Sequence, residues 1–173
     1  MDNLFLAKSY PNPITISQHT LEMLKLVDEL KQGFPEILAE KDWSILKLAV
    51  IHHDIGKINA AFQNKIYVKL KKSISLLDVF RGIYEIPHGY LSTCMIDYER
   101  VQREYDFSQD EIRLLAMSIY YHHHRKMDYD DIQLKKTLEN NVKPYIPKFK
   151  TDFKFGLIAD APDFEHVNTK VNL

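Results

Sequence analysis

Trp43-Ser44-Ile45-Leu46-Lys47-Leu48-Ala49-Val50-Ile51-His52-His53-Asp54-Ile55-Gly56-Lys57 is the stretch on which the reading of this chain turns. Trp43, Ile45, Leu46, Leu48, Ala49 and Val50 recur at helical rather than alternating spacing, with Asp42 as the expected cap and an end near Gly56. At the C-terminal end of this apolar helix stands a polar pair, His53-Asp54. A buried imidazole and carboxylate are costly unless paired or metal-bound, so the pair needs a partner. Imidazole nitrogen with carboxylate oxygen suits Mn, Fe, Co, Ni or Zn better than Mg or Ca. The competing reading is a histidine at a helix C-terminus, favoured by the helix dipole. For His52, one step off the His53 face, that reading is preferred. For His53-Asp54 taken alone the two stand level.

The other histidines tip the balance. The chain has eight, five of them in the runs His52-His53 and His122-His123-His124, with His88 in Pro87-His88-Gly89. His19, His53, His88 and His122 fall at spacings of 34, 35 and 34 residues. The segments between them share no pattern, so the regularity is not a helical repeat. Each of these histidines falls on a different expected helix, and a bundle can focus such side chains inward on one metal site.

Working outward, Ser17 to Gln32 reads as a helix capped by Ser17, with Leu21, Leu24, Leu26, Val27 and Leu30 on its apolar face and Gly33 and Pro35 stopping it. Further helices are expected from Asn59 to about Leu70, from His88 to about Glu104, and through Tyr121 from a capping box of Ser108 and Glu111. Two more run from Asp128 to about Asn140 and from Phe153 to Asp160, with Pro144 and Pro147 bracketing a loop. No β-hairpin signal, low-complexity segment or linker stands out. The fold class expected is all-α.

The 173 residues, 45% of them hydrophobic, suit one domain over 1–173 with one sizeable core. Lys plus Arg number 23 against 24 Asp plus Glu, which excludes a broadly basic nucleic-acid binder and leaves only local patches. One cysteine, Cys94, excludes an internal disulfide framework and fits a reducing compartment. Neither a signal-like apolar stretch in MDNLFLAKSY nor an apolar run of membrane-spanning length is found. A soluble cytoplasmic protein without a membrane partner is the expectation.

Taken in order, several motifs carry a resemblance. They are Leu6-Ala7-Lys8-Ser9, Gln18-His19-Thr20, His53-Asp54-Ile55-Gly56-Lys57, Ala61-Phe62-Gln63 and Pro87-His88-Gly89-Tyr90-Leu91-Ser92. Tyr121-His122-His123 with Arg125 and Gly156-Leu157-Ile158-Ala159-Asp160 complete them. The set resembles the HD phosphohydrolase superfamily and, more narrowly, the HD nuclease domain of CRISPR type I helicase–nucleases, over nearly the whole chain. The resemblance implies a helical HD bundle holding two divalent transition-metal ions (Mn, Ni, Co or Fe). It assigns His19, His53, Asp54 and Asp160 to the first ion, with Asp54 bridging to a second ion held by His88, His122 and His123. Lys57, at i+4 from His53, is placed to meet the scissile phosphate, and Arg125 to contact substrate. It further implies single-stranded DNA as substrate, and a CRISPR helicase domain or subunit and a guide-RNA surveillance complex as partners. Family members usually continue beyond this motif, so a separate subunit and an excised domain both fit.

Some readings stay open at this level. The histidine run allows His123–His124 as the ligand pair instead of His122–His123; Tyr121 and Arg125 flank the run as in the family and favour the latter. A cap or salt bridge is the competing role for Asp160. Lys57, Lys65, Lys69, Lys71 and Lys72 lie in a stretch without an acidic residue, either a solvated face or a strip for a nucleic-acid backbone. Cys94 reads as a small buried residue and His166 as surface. Two other functions compete with a nuclease: a phosphohydrolase of nucleotides or cyclic nucleotides, and a scaffold without metals. The second would be expected to have lost ligands, and none is missing.

Overall fold

The computed structural model describes residues 5–71, 86–123, 131–149 and 159. Arg125, His124, Asp160, His166, Lys72 and the helix expected over 153–160 lie outside them. The described residues are mostly helical: α1 Ile16–Gly33, α2 Glu40–His52, α3 Ala60–Lys69, α4 His88–Cys94, α5 Tyr98–Tyr105, α6 Gln109–Tyr120 and α7 Asp131–Thr137. Short 3-10 helices cover Pro35–Ile37, Ile55–Ile58 and Lys143–Lys148, and a π-helical turn covers Leu138–Val142. The all-α expectation holds, with ligand candidates converging from separate helices. Among the described residues no helix is long and apolar enough to cross a membrane.

One small sheet departs from that expectation. β1 (Leu6–Lys8) pairs antiparallel with β2 (Ile14–Thr15), Leu6 opposite Thr15 and Lys8 opposite Ile14. Strands this short carry no readable alternation. Gln63 supplies what the strands lack: its side chain accepts from Leu6 N at 2.9 Å and donates to Leu6 O at 2.9 Å and Lys57 O at 2.7 Å. One buried amide thus ties β1 to the turn that follows Asp54.

The helix ends follow local chemistry. α1 is capped by Thr15, not Ser17: Thr15 Oγ1 accepts from Gln18 N at 3.1 Å while Gln18 Oε1 accepts from Thr15 N at 2.9 Å. Its buried stripe is Ile16, Thr20, Leu24 and Val27, at steps of four, four and three. Leu21, Leu26 and Leu30 lie off that stripe and are exposed. α2 starts after Ala39, which leaves Asp42 in the first turn, where the helix dipole favours a carboxylate. The helix expected from His88 to Glu104 is two helices, because Asp97 accepts from Arg100 N at 2.9 Å and starts α5. The Ser108–Glu111 capping box starts α6 as expected. Pro144 and Pro147 fall within a 3-10 helix instead of bracketing a loop.

α2 is the centre of the packing. It lies against α1 and α6, while α4 packs on α6 and on the 3-10 turn Ile55–Ile58. The main core includes Ile55, Ile58, Leu91, Met95, Leu115 and Ile119, all of them essentially inaccessible. Each such side chain contributes about 1.5–3 kcal/mol. A second cluster of Leu24, Val27, Trp43 and Val50 fills the α1–α2 contact. His52 and Cys94 are buried among these layers. The polar pair therefore ends a helix held on two sides, a rigid mount for chemistry.

Candidate metal centre

Asp54 is the hub. It follows the end of α2 with 1% of its surface exposed, and its two oxygens face different groups. Oδ2 lies 3.6 Å from His19 Nε2, 3.5 Å from His53 Nε2 and 2.7 Å from Lys57 Nζ. Oδ1 lies 3.2 Å from His88 Nε2 and 3.8 Å from His122 Nε2. His88 Nε2 is in turn 3.1 Å from His122 Nε2 and 3.0 Å from His123 Nε2. Thus α1 supplies His19, the end of α2 supplies His53 and Asp54, α4 supplies His88, and the turn after α6 supplies His122 and His123.

Local hydrogen bonds aim these rings. Nδ1–H of His53 donates to Val50 O at 2.8 Å and that of His122 to Ile119 O at 2.6 Å, a tautomer that leaves each Nε2 lone pair facing the cluster. Burial holds His19, His53, His88 and His122 below the ordinary histidine pKa, His88 at about 4, despite the opposing pull of Asp54. The rings are therefore neutral at neutral pH and keep their lone pairs. Burial would raise the Asp54 carboxyl, but the hydrogen bond from His88 and the nearby His53 and Lys57 outweigh it and hold the group well below the usual range. The hub is an anion.

Hydrogen bonding alone does not account for three Nε2 atoms facing one another. One imidazole nitrogen offers a single proton or a single lone pair, whereas His88 Nε2 meets two other rings and a carboxylate. A divalent cation satisfies all of these donors together. With metal–nitrogen bonds of about 2.1 Å, neighbouring ligand atoms stand roughly 3.0–3.4 Å apart, which matches the separations around His88. Two groups can each offer one ligand atom per residue within 4.8 Å: Asp54, His88, His122 and His123, and His19, His53 and Asp54. The donor set fits transition-metal chemistry.

The surrounding residues fix the spacing. Ser92, buried on α4, donates to His53 O at 2.7 Å and accepts from Gly56 N at 2.8 Å, so one hydroxyl joins the helix of His88 to the turn of Asp54. A Cβ on Gly56 would stand 2.2 Å from His88 O and 2.7 Å from Ser92 N, so only glycine permits this approach. Phe62 lies 5.5 Å from the His88 ring and the same distance from Lys57 Nζ. Ser92, Gln63 and Phe62 sit inside motifs visible in the sequence, yet nothing in the residues by themselves gave them these tasks.

The sequence candidates divide as follows. His19, His53, Asp54, His88, His122, His123 and Lys57 come together; Asp160 and Arg125 lie outside the described residues. Ala159, next to Asp160, donates to Met95 O at 2.8 Å at the end of α4. His52 points away, its Nδ1–H donating to Leu48 O at 2.9 Å in the core. Of the lysine stretch, Lys57 is buried at the cluster while Lys65, Lys69 and Lys71 are exposed. The cluster opens into a cleft of about 380 Å³ flanked by α1, α2 and α6.

Neither a curated protein nor a solved structure matches the chain. The family described as "Cas3, HD domain" does, over residues 16–165, a span that holds all the histidines and the aspartate of the cluster. On that match the chain belongs to the Cas3 HD-domain family, the metal-dependent HD nucleases of CRISPR systems.

Proposed function

We propose that this chain cuts single-stranded DNA during CRISPR interference, using two divalent transition-metal ions. His19, His53 and Asp54, with Asp160, hold the first, and Asp54, His88, His122 and His123 hold the second. The observation that carries this reading is the single buried carboxylate whose oxygens each face their own set of imidazoles. Bound there, the ions would lower the pKa of a water and offset charge on the phosphodiester. Asp54 stays ionised and fixes the separation of the two donor sets. His53 and His122, anchored through Nδ1, keep their lone pairs directed inward. Lys57 brings a cation to the Oδ2 side, where it would counter the charge of an entering phosphate, and the family resemblance gives Arg125 a contact with the strand. A helicase domain or subunit and a guide-RNA surveillance complex would deliver that strand.

The test is direct. Purified protein given Mn, Co or Ni should cut circular single-stranded DNA, and Asp54→Ala should reduce cutting to the metal-free background. Cutting retained in Asp54→Ala would overturn the mechanism. Turnover of free nucleotides with no action on long strands would favour a small-molecule phosphohydrolase instead.

A further inference from the structure

The cleft is chemically two-sided. One end is the donor cluster; the other is built from Met23 of α1, Leu46, Ala49 and Val50 of α2, and Ser118 of α6. Leu46, Ala49, Val50 and His53 are spaced i, i+3, i+4 and i+7, so they form one face of α2 leading up to the metal donors. Over seven residues that face is about 10 Å long, roughly the span of a nucleotide from its phosphate to the far edge of its base. Met23 lies one turn beyond His19 on α1 in the same way. A site that handled only a phosphate and water would have no use for an apolar floor joined to its ligands.

We infer that this apolar end of the cleft is a pocket for the unpaired nucleobase next to the scissile phosphate, an inference that rests on the nuclease reading above. The whole cleft, donor end included, measures about 380 Å³, room for one phosphate with its sugar and base and too little for a base pair. A base reaches the floor only after leaving its stack and its partner, which selects single strands by shape. Contact with methyl groups and the Met23 thioether recognises the flat apolar face common to all bases. The hydroxyl of Ser118 already donates to Leu114 O at 2.8 Å, so among the described apolar-end residues no side-chain donor is left to read a base edge. The pocket is therefore tolerant of sequence while it rejects duplex.

The experiment compares two single strands with Mn present: one carrying bases throughout and one of the same length made of abasic residues. Wild-type protein should cut the first about tenfold faster, the worth of one modest base contact. Ala49→Leu, which fills the floor, should bring the ratio of the two rates to about one while calorimetry still detects bound Mn. Met23→Ser, at a half-buried position where folding tolerates change, should lower the ratio too and covers the case in which Ala49→Leu fails to fold. Equal wild-type rates on both strands, or an unchanged ratio in the variants, would overturn the pocket and leave the nuclease standing. No cutting of either strand by the wild type would overturn the nuclease reading, and the pocket with it.

Discussion

The two sides of Asp54 are built differently. On the Oδ1 side three imidazoles pack against one another, with ring centroids 4.1–5.1 Å apart for the pairs among His88, His122 and His123. Their nitrogens stand at the separation expected of ligands already sharing an ion. On the Oδ2 side His19 and His53 are 3.6 and 3.5 Å from the oxygen, and the Lys57 ammonium holds that same oxygen at 2.7 Å. The first side is preorganised by ring packing; on the second a cation must enter beside a cation. Preorganisation lowers the cost of binding, and like charge raises it. The Oδ1 side should be the tighter metal site.

Single-ligand variants are the strongest way to break this contrast. His88 meets the carboxylate and both other rings, so His88→Ala should abolish the tight site, a loss of at least about 100-fold in affinity. His19→Ala should remove only the weaker event. Calorimetric titration of metal-free protein with Mn should therefore show two events in the wild type and one, of different affinity, in each variant. Loss of the same event in both variants would contradict the asymmetry.

Acid sharpens the contrast between the cluster and the core beside it. His52 is a single residue from His53, yet it is fully buried and burial lowers its pKa to about 4. In the unfolded chain the same group titrates near its ordinary value, so the unfolded state takes up the proton first. Stability is thus complete above about pH 6.5 and falls as the pH drops toward 4, by about 3 kcal/mol from His52 alone. Urea melts at a series of pH values, with and without metal, measure this. Metal should suppress the share due to the cluster histidines but leave the His52 share in place. A His52→Gln variant should show a flatter profile; an unchanged one would mean that the acid sensitivity arises elsewhere.

The contrast between His52 and His53 also shows what could be read from the sequence. Helical periodicity through Trp43, Leu48 and Val50 sets His52 one step off the His53 face, which reads His52 as structural, whereas His53 needed the other histidines of the chain to stand out as a ligand candidate. The capping box at Ser108 and the polar pair ending α2 were equally visible, because each is a local pattern. The ring geometry was not, since it depends on α4 being drawn onto the Asp54 turn across more than thirty residues. Nor was the face of α1: Leu21, Leu26 and Leu30 are apolar like Leu24, and only the position of α2 decides which of them is covered. The pattern after His88 runs on past the true helix end because Asp97, a cap inside an otherwise helical run, looks in sequence like any other acidic surface residue. Likewise β1 is held by the amide of Gln63, a partner 57 residues away from Leu6 that no window of sequence contains.

Ser92 offers the finest test, because it touches neither set of rings and yet spans the two sides. Its hydroxyl receives the Gly56 amide and donates to the His53 carbonyl, so it binds α4, which carries His88, to the turn that carries Asp54. Ser92→Ala removes both bonds and leaves a buried N–H and a part-buried carbonyl without that partner, at a cost of about 2 kcal/mol in stability. A purely structural role would end there, with Mn affinity unchanged in the folded protein. A strut that sets the separation of His88 from Asp54 predicts more. Mn affinity on the Oδ1 side should fall about tenfold, while the Oδ2 event, which Ser92 reaches only through the backbone carbonyl of His53, should change less. Ser92→Cys, which keeps a weak donor and acceptor at nearly the same place, should recover part of the affinity. Equal weakening of both events would show instead that Ser92 steadies the whole turn, and that the two sides of Asp54 are less independent than their geometry suggests.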